Sequence, residues 1–315
     1  MKDIKNPFEK HTKRYNDFNS FLRRAFGARV HKISIDAGLN CPNRDGTISS
    51  NGCIFCNKRG SGTGAWEKGV SIREQVLRAQ EYLRQRFKAK KFLAYFQSFS
   101  NTYASKAKLE LIYKEALNAR DMVGICIGTR PDCVPDDILD MIACFITDYM
   151  VWMEYGLQSI HDRSLLAINR GHSAGQFLDA VDRTRKRGIN VCAHIILGLP
   201  GETKEDMLQT ADQISKLDIQ GVKIHLLYVI KDTPLANLYA RGEYKCLTQE
   251  EYLEILISFL KHLRKDIIIQ RLTGDPHPED LLAPGWSLKK NEVLKLLQEK
   301  MEKEDIWQGN EQTII

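Results

Sequence analysis

With 315 residues, 43% of them hydrophobic and 27% charged, the chain is long enough to bury a full core and too apolar to be disordered. Its net charge of +6 is modest, and many unrelated enzymes are as basic, so charge alone does not single out a nucleic-acid partner. The opening MKDIKNPFEKHTKRYND lacks the apolar run of a secretory signal. No stretch reaches the roughly 18 consecutive apolar residues of a membrane span, so a cytoplasmic, membrane-free protein is expected.

In chain order, residues 1–31 form a basic and aromatic extension, with Lys10, Lys13, Arg14, Arg23, Arg24 and Arg29 beside Phe8, Tyr15, Phe18, Phe21 and Phe26. Short β-rich runs then alternate with longer amphipathic ones. Strands are predicted at 32–37, 92–96, 122–127, 150–155, 191–197, 222–227 and 267–271, and helices at 71–87, 106–119, 135–144, 173–187, 204–217 and 248–263. Gly, Pro or Asn punctuates most junctions, as in Gly188-Ile189-Asn190. Strands apolar on both faces and alternating with helices imply parallel βα units. Without a Gly-x-Gly-x-x-Gly turn, such units favour a partial βα barrel of the (βα)6 type, over residues 32–271, above a dinucleotide-binding sheet. Residues 272–315 hold a loop with Pro276, Pro278 and Pro284, then a helix near 288–303, and a tail expected to fray after Trp307.

The eight cysteines sit at 41, 53, 56, 126, 133, 144, 192 and 246. Without an export signal, clustered cysteines are read first as metal ligands and not as disulfides. Eleven residues separate Cys41 from Cys53 and two separate Cys53 from Cys56, in a loop that begins where the first predicted strand ends. In a βα barrel that places the thiols at the reactive mouth. Two readings fit the spacing: a structural zinc site of three cysteines with His31 or His11, or an iron–sulfur cluster with three cysteine ligands and one open iron. The other five cysteines lack ligand spacing and read as small buried hydrophobes.

Further along, Glu154-Tyr-Gly-Leu-Gln158-Ser159, Asn169-Arg170-Gly171-His172 and Leu197-Gly198-Leu-Pro-Gly201-Glu202-Thr203 follow the fourth and fifth predicted strands in order. With the cysteine run, they resemble the radical S-adenosylmethionine (radical SAM) superfamily, in the branch of the YhcC/YtqA type that is similar to the Elongator catalytic subunit. Gln270-Arg271-Leu-Thr-Gly-Asp275 is also similar to that branch. The resemblance implies a [4Fe-4S] cluster on Cys41, Cys53 and Cys56, with SAM on its open iron and an electron donor such as flavodoxin or ferredoxin. Reductive cleavage of SAM to a 5′-deoxyadenosyl radical would follow. It further implies that Phe55 contacts the adenine, that Glu154 and Gln158 reach toward SAM, that Arg170 pairs with its carboxylate, and that Gly198 lines the adenine pocket. Where the superfamily often carries Gly-Gly-Glu for the SAM amino group, this chain has Tyr95-Phe-Gln97-Ser-Phe-Ser100-Asn101, so Ser100 or Asn101 is the expected substitute.

His172 reads equally as a local hydrogen-bonding residue, and Glu154 as a buried acid paired with a lysine. Lys223, His225 and Tyr228, on or beyond the sixth predicted strand, face either substrate or structure. The Elongator likeness implies tRNA wobble-uridine chemistry. Without an acetyltransferase segment, the expected reaction is conversion of carboxymethylaminomethyl to aminomethyl at uridine C5. The aromatic arm and the run Arg84-Gln-Arg86-Phe-Lys88-Ala-Lys90-Lys91 suit a phosphate backbone and stacked bases, or else a solvated face and packing over the barrel end. Two alternatives stand beside this one: a radical SAM enzyme acting on a small molecule or protein, and a zinc-stabilised RNA-binding module.

Overall fold

A computed structural model describes residues 7, 8, 13–58, 60, 65 and 68–311; Lys10 and His11 fall outside them. Seven parallel strands form one curled half-barrel sheet: β1 (Val30–Ile35), β2 (Lys91–Phe96), β3 (Met122–Thr129), β4 (Met150–Gln158), β5 (Asn190–Leu197), β6 (Gly221–Leu226) and β8 (Ile268–Arg271). Spatial order follows chain order, so β1 and β8 are the two edges. The seventh strand expected at 267–271 is β8, which pairs with β6. The crossovers run through α2 (Ile72–Phe87), α3 (Lys106–Leu117), α4 (Asp136–Ala143), α6 (Ala174–Lys186), α7 (Lys204–Ser215) and α9 (Gln249–His262), with a short α5 (Asp162–Ala167) after β4. Side-chain oxygens of Ser71, Ser173, Thr203 and Thr248 accept backbone N–H bonds at the helix starts, which fixes where four of these helices begin. No helix among the described residues is long and apolar enough to cross a membrane.

Strand alternation divides the interior in two. Val151, Met153, Tyr155 and Leu157 of β4 point outward into the main core beneath the helices, while Trp152 and Glu154 point into the barrel. The sequence expectation of strands apolar on both faces holds only for the lower barrel, where Leu93, Cys126, Trp152 and Cys192 form a second, smaller cluster. Room for the indole comes from Gly221, where a Cβ would lie 2.9 Å from the Trp152 ring.

The floor of this cluster is closed by α1 (Phe18–Phe26), a helix that the sequence reading does not delimit. Phe18 and Phe21 meet the Trp152 indole edge-on, with ring centroids 5.7 and 6.2 Å away, and Leu22 is buried beside them. Phe18 is core and Phe21 is partly buried against it, so both rings are engaged in packing over the barrel end. The basic run 84–91, from the last turn of α2 to the first residue of β2, lies at the strand starts, at the same pole as α1. There Arg84 pairs with Asp121 at 2.8 Å and Lys91 lies over the Phe26 ring.

Past β6, β7 (Val229–Ile230) pairs antiparallel with β9 (Leu281–Ala283), bracketing α8 (Pro234–Ala240), α9, β8 and the proline loop. Helix α10 (Lys290–Lys303) packs on α9. The tail, expected to fray after Trp307, is docked as far as residue 311. Gln308 is fully buried: its N–H donates to the Arg14 carbonyl, its Oε1 accepts from Asn16 N–H at 3.0 Å, and its Nε2 donates to the carbonyls of Arg264 and Ile267. Gln308→Ala would leave three backbone groups without partners. It should lower stability by about 2 kcal/mol, read as a fall in the urea midpoint; an unchanged midpoint would mean that this knot does not hold the two ends.

Candidate active site

The strand ends open into a cavity of about 760 Å³. Cys41, Cys53 and Cys56 line one side, and the loop from Asp275 to Pro278 lines another. The cysteine loop is wrapped by short-range bonds: Arg44 and Asp45 N–H donate to the Cys41 carbonyl, Gly52 N–H to Asn43, and Cys56 N–H to Cys53. It is then clasped from outside by the segment after α5. Asn43 Nδ2 donates to the Asn169 carbonyl at 2.6 Å, Asn169 Nδ2 returns a bond to the Gly52 carbonyl at 2.7 Å, and Ile54 N–H donates to Ile168. Gly171, at φ +70°, admits no Cβ, because one would lie 2.7 Å from Asn43 Oδ1.

Polar hydrogens are directed at the sulfurs. Arg170 Nη1 and Asn43 Nδ2 both lie 3.6 Å from Cys53 Sγ, and Arg44 Nη1 lies 3.4 Å from Cys56 Sγ. Burial and then the neighbouring Cys53 push the Cys56 thiol up to about 11, against the pull of Arg44. Thiolates on one zinc ion sit about 2.3 Å from it and must converge on a point. Among the described residues no three His, Cys, Asp or Glu side chains do so. His31 stands at the start of β1, stacked on Phe87 at 5.6 Å, at the far end of that strand from Cys41. It is therefore not the fourth ligand of a zinc site; His11 lies outside the described residues.

Of the residues expected to contact SAM, Phe55, Ser100, Glu154, Gln158 and Arg170 line the cavity with the three cysteines. Ser100 Oγ is buried with no hydrogen-bond partner among the described residues, an acceptor and donor held ready on the wall. Gln158 adopts φ +77° where the β4–β5 register shifts, which turns its side chain inward beside Gly156. Arg170 crosses that glycine, donating to the Gly156 carbonyl at 2.8 and 3.2 Å; a Cβ there would be 2.5 Å from its Nη2.

Asn101 and Gly198 lie off the wall. The Asn101 side-chain amide nitrogen donates to the Gly128 carbonyl at 2.7 Å, and the Asn101 backbone carbonyl accepts from Tyr113. Gly198 is backed by Met207 sulfur and Tyr244. His172 is also off the wall, its ring nitrogens against the carbonyls of Gly156 and Ser173, so the local role is the one it takes.

Below the cysteines lies a buried charge cluster that the sequence resolves only in part. Glu154 is fully buried; its Oε1 accepts from Lys32 at 2.9 Å, and its Oε2 from His194 at 3.0 Å and from Lys223. Burial alone would raise its carboxyl, but Lys223, Lys32 and the His194 bond outweigh it and hold the group well below the usual carboxylate range. Lys32 also donates to Gln270 at 2.9 Å and lies over the rings of Phe18 and Tyr95; Lys223 lies over Tyr95 at 4.0 Å. The signal for His194 and Lys32 was the period-2 placement of polar residues on otherwise apolar strands.

Residues 45–214 match the family model "Radical SAM superfamily", and residues 219–303 match "Radical_SAM C-terminal domain". The chain belongs to the radical SAM superfamily. The Bacillus subtilis protein YtqA is 39% identical over 303 residues, covering 96% of this chain and 94% of that one. A tRNA uridine(34) acetyltransferase from Methanocaldococcus infernus is 31% identical over 189 residues, 58% of this chain and 34% of the relative. The solved structure of Methanocaldococcus infernus Elp3 superposes with a TM-score of 0.68 at 18% identity, covering 89% of this chain and 64% of that one; it shows the same fold.

Radical SAM enzymes work with a [4Fe-4S] cluster and SAM. The residues present fit both groups: three thiols on one wall with three N–H donors turned toward two of the sulfurs, and an unpartnered Ser100 hydroxyl nearby. Bound there, the pair supplies a carbon-centred radical able to abstract hydrogen from an unactivated carbon. The chain's own part is to hold the sulfurs with Asn43, Arg44 and Arg170, and to keep water out from below with Trp152 and α1.

Replacing any one of Cys41, Cys53 and Cys56 by Ser should abolish most of the iron bound after anaerobic reconstitution, while Cys144→Ser, on an exposed thiol, should leave it intact; iron and sulfide assays read the result. One buried histidine, His172, and two half-buried ones, His194 and His225, add a pH dependence. Burial lowers His194 to about 4 and His172 to about 2, and holds His225 well below its ordinary value, so all three are neutral when folded. The unfolded chain takes up their protons below pH ~6.5, so stability is full above that pH and falls on acidification, by roughly 2 kcal/mol per histidine at pH 5. Urea midpoints at pH 7 and pH 5 should show this, and His194→Gln should shrink the difference.

Proposed function

We propose that this radical SAM enzyme acts on tRNA, converting a carboxymethylaminomethyl group at C5 of the wobble uridine to aminomethyl. Two-electron oxidation of the N–CH2 unit, with SAM as oxidant, gives an imine, whose hydrolysis breaks the C–N bond and releases the two carbons as glyoxylate. The observation that carries the reading is the 31% identity, over 189 residues, to a tRNA uridine(34) acetyltransferase, joined to a cavity of about 760 Å³. The matched segment is 34% of that longer relative, so the reading takes from it the substrate and not acetyl transfer. Bases of an anticodon loop are unpaired, and one of them can be turned out of its stack into such a cavity at modest cost. Phosphate contacts by the run 84–91 form no part of this reading, since that run lies at the pole opposite the cavity.

In this scheme Cys41, Cys53 and Cys56 hold the cluster, and Phe55, Ser100, Gln158 and Arg170 surround SAM. Glu154, with both oxygens engaged by Lys32, Lys223 and His194, is a fixed charge beneath them. In this reading residues 32–271 are the catalytic unit, α1 of the 1–31 extension is its floor, and residues 275–278 of the 272–315 extension line its cavity. A one-electron donor such as flavodoxin or ferredoxin completes the cycle. The test is nucleoside analysis of tRNA from a deletion strain. Carboxymethylaminomethyluridine should accumulate and aminomethyl derivatives should disappear; an unchanged set of wobble uridines removes the tRNA reading while leaving the superfamily assignment untouched.

A further inference from the structure

The cavity wall carries five arginine or lysine side chains: Arg44, Lys68, Arg130, Arg170 and Arg271. Arg130 is neutralised by Asp132, with contacts of 2.8 and 2.9 Å. Arg44 and Arg170 are committed to the cysteine loop and to the Gly156 carbonyl. Lys68 is exposed at the mouth. Arg271 differs from these four. It is half-buried, and among the described residues it has no hydrogen-bond or ion-pair partner. The nearest acid in sequence, Asp275, is taken by Lys290 at 3.1 Å.

Its place in the fold is equally specific. β1 and β8 are the open edges of the half-barrel, and the seam between them is stitched from below, by the bridge from Asp17 to Ile269 and by the bond from Lys32 to Gln270. Arg271 is the next residue up β8, in register with Lys223, and is the first cation facing the cavity above that closure. Tyr228 and His225 stand close enough to feel its charge.

A guanidinium partly withdrawn from water with all its donors unused is an incomplete site, since such groups are ordinarily paired. We infer that Arg271 anchors a carboxylate carried by the substrate, in a two-pronged guanidinium–carboxylate pair at the seam between the first and last strands. A single negative charge suits the surroundings. His194 and His225 are neutral, by burial first, and add no charge. Glu154 below and Asp275 beside would repel a dianion. A phosphodiester is also a monoanion, but a continuous backbone would have to thread a chamber closed from below, whereas a carboxylate at the end of a flexible substituent reaches in. The carboxylate class follows from the cavity; assigning it to the carboxymethylaminomethyl group rests on the function proposed above.

The test is oxygen-free calorimetry on the cluster-reconstituted enzyme with four ligands: carboxymethylaminomethyluridine, aminomethyluridine, SAM and dimethyl phosphate. With SAM present, the wild type should bind the carboxylate nucleoside roughly tenfold or more tighter than the aminomethyl one, as expected for a charge-assisted pair. Arg271→Gln should remove that preference and leave SAM affinity within about twofold; Arg271→Lys, which keeps charge but not the fork, should retain only part of it. The assignment is overturned if the wild type shows no preference, if the preference survives in Arg271→Gln, or if that variant loses SAM instead, which would make the cofactor's own carboxylate the partner. Competition by dimethyl phosphate that vanishes in Arg271→Gln would give the site to the RNA backbone and also overturn it. An Arg271-dependent preference in an enzyme whose deletion leaves tRNA unchanged would keep the anchor and discard the tRNA substrate.

Discussion

The structure turns on a carboxylate with no access to water. Glu154 joins β4 to β1 through Lys32, to β5 through His194 and to β6 through Lys223, and Lys32 carries the linkage on to Gln270 of β8. Two edges of an open sheet, which nothing in strand pairing holds together, are thereby tied to one anion at its centre. Removing the acid would strand two ammonium groups in a site of low polarity, and removing either lysine would strand the acid. Such a cluster is expensive to break, even if an apolar layer of the same volume would be no less stable. Glu154 and His194 also line the cavity, so the cluster shapes the chamber as well as bracing its walls.

A second constraint sits above the first. The cysteine loop has little regular structure, and its shape comes from being tied to Asn169, Arg170 and Gly171. The same arginine that approaches Cys53 also braces the strained end of β4 through the Gly156 carbonyl. Position of the sulfurs and shape of the cofactor-facing wall are thus set by shared side chains, and a change at Gly156 or Gly171 would disturb both.

Much of this could be read from residues alone. The seven main strands and six crossover helices follow from apolar periodicity punctuated by Gly, Pro and capping hydroxyls, which are local signals. The cysteine spacing and the motifs after β4 and β5 point to the pole at which the cavity opens. What escaped were properties set by distant partners. For Phe18 and Phe21 the sequence leaves stacking on bases and packing over the barrel end both open, and only Trp152, more than a hundred residues away, decides for packing. The tail after Trp307 looks loose until Gln308 meets Asn16 and Ile267. For Arg170, expected beside a cofactor carboxylate, the sequence does not show its hydrogen bonds to the cysteine loop and the Gly156 backbone. Asn101 was grouped with Ser100 because the two are adjacent in sequence, but only Ser100 faces the cavity.

The seal formed by Trp152 and α1 makes the interior a cul-de-sac. Whatever lodges deepest, beside Tyr95 and Glu154, has passed the cysteine loop and the segment from Asp275 to Pro278 on its way in, and retraces that path to leave. Traffic is therefore last-in, first-out: a ligand seated near the rim blocks exchange of anything beneath it, and turnover requires the outermost occupant to depart before its inner neighbour is renewed.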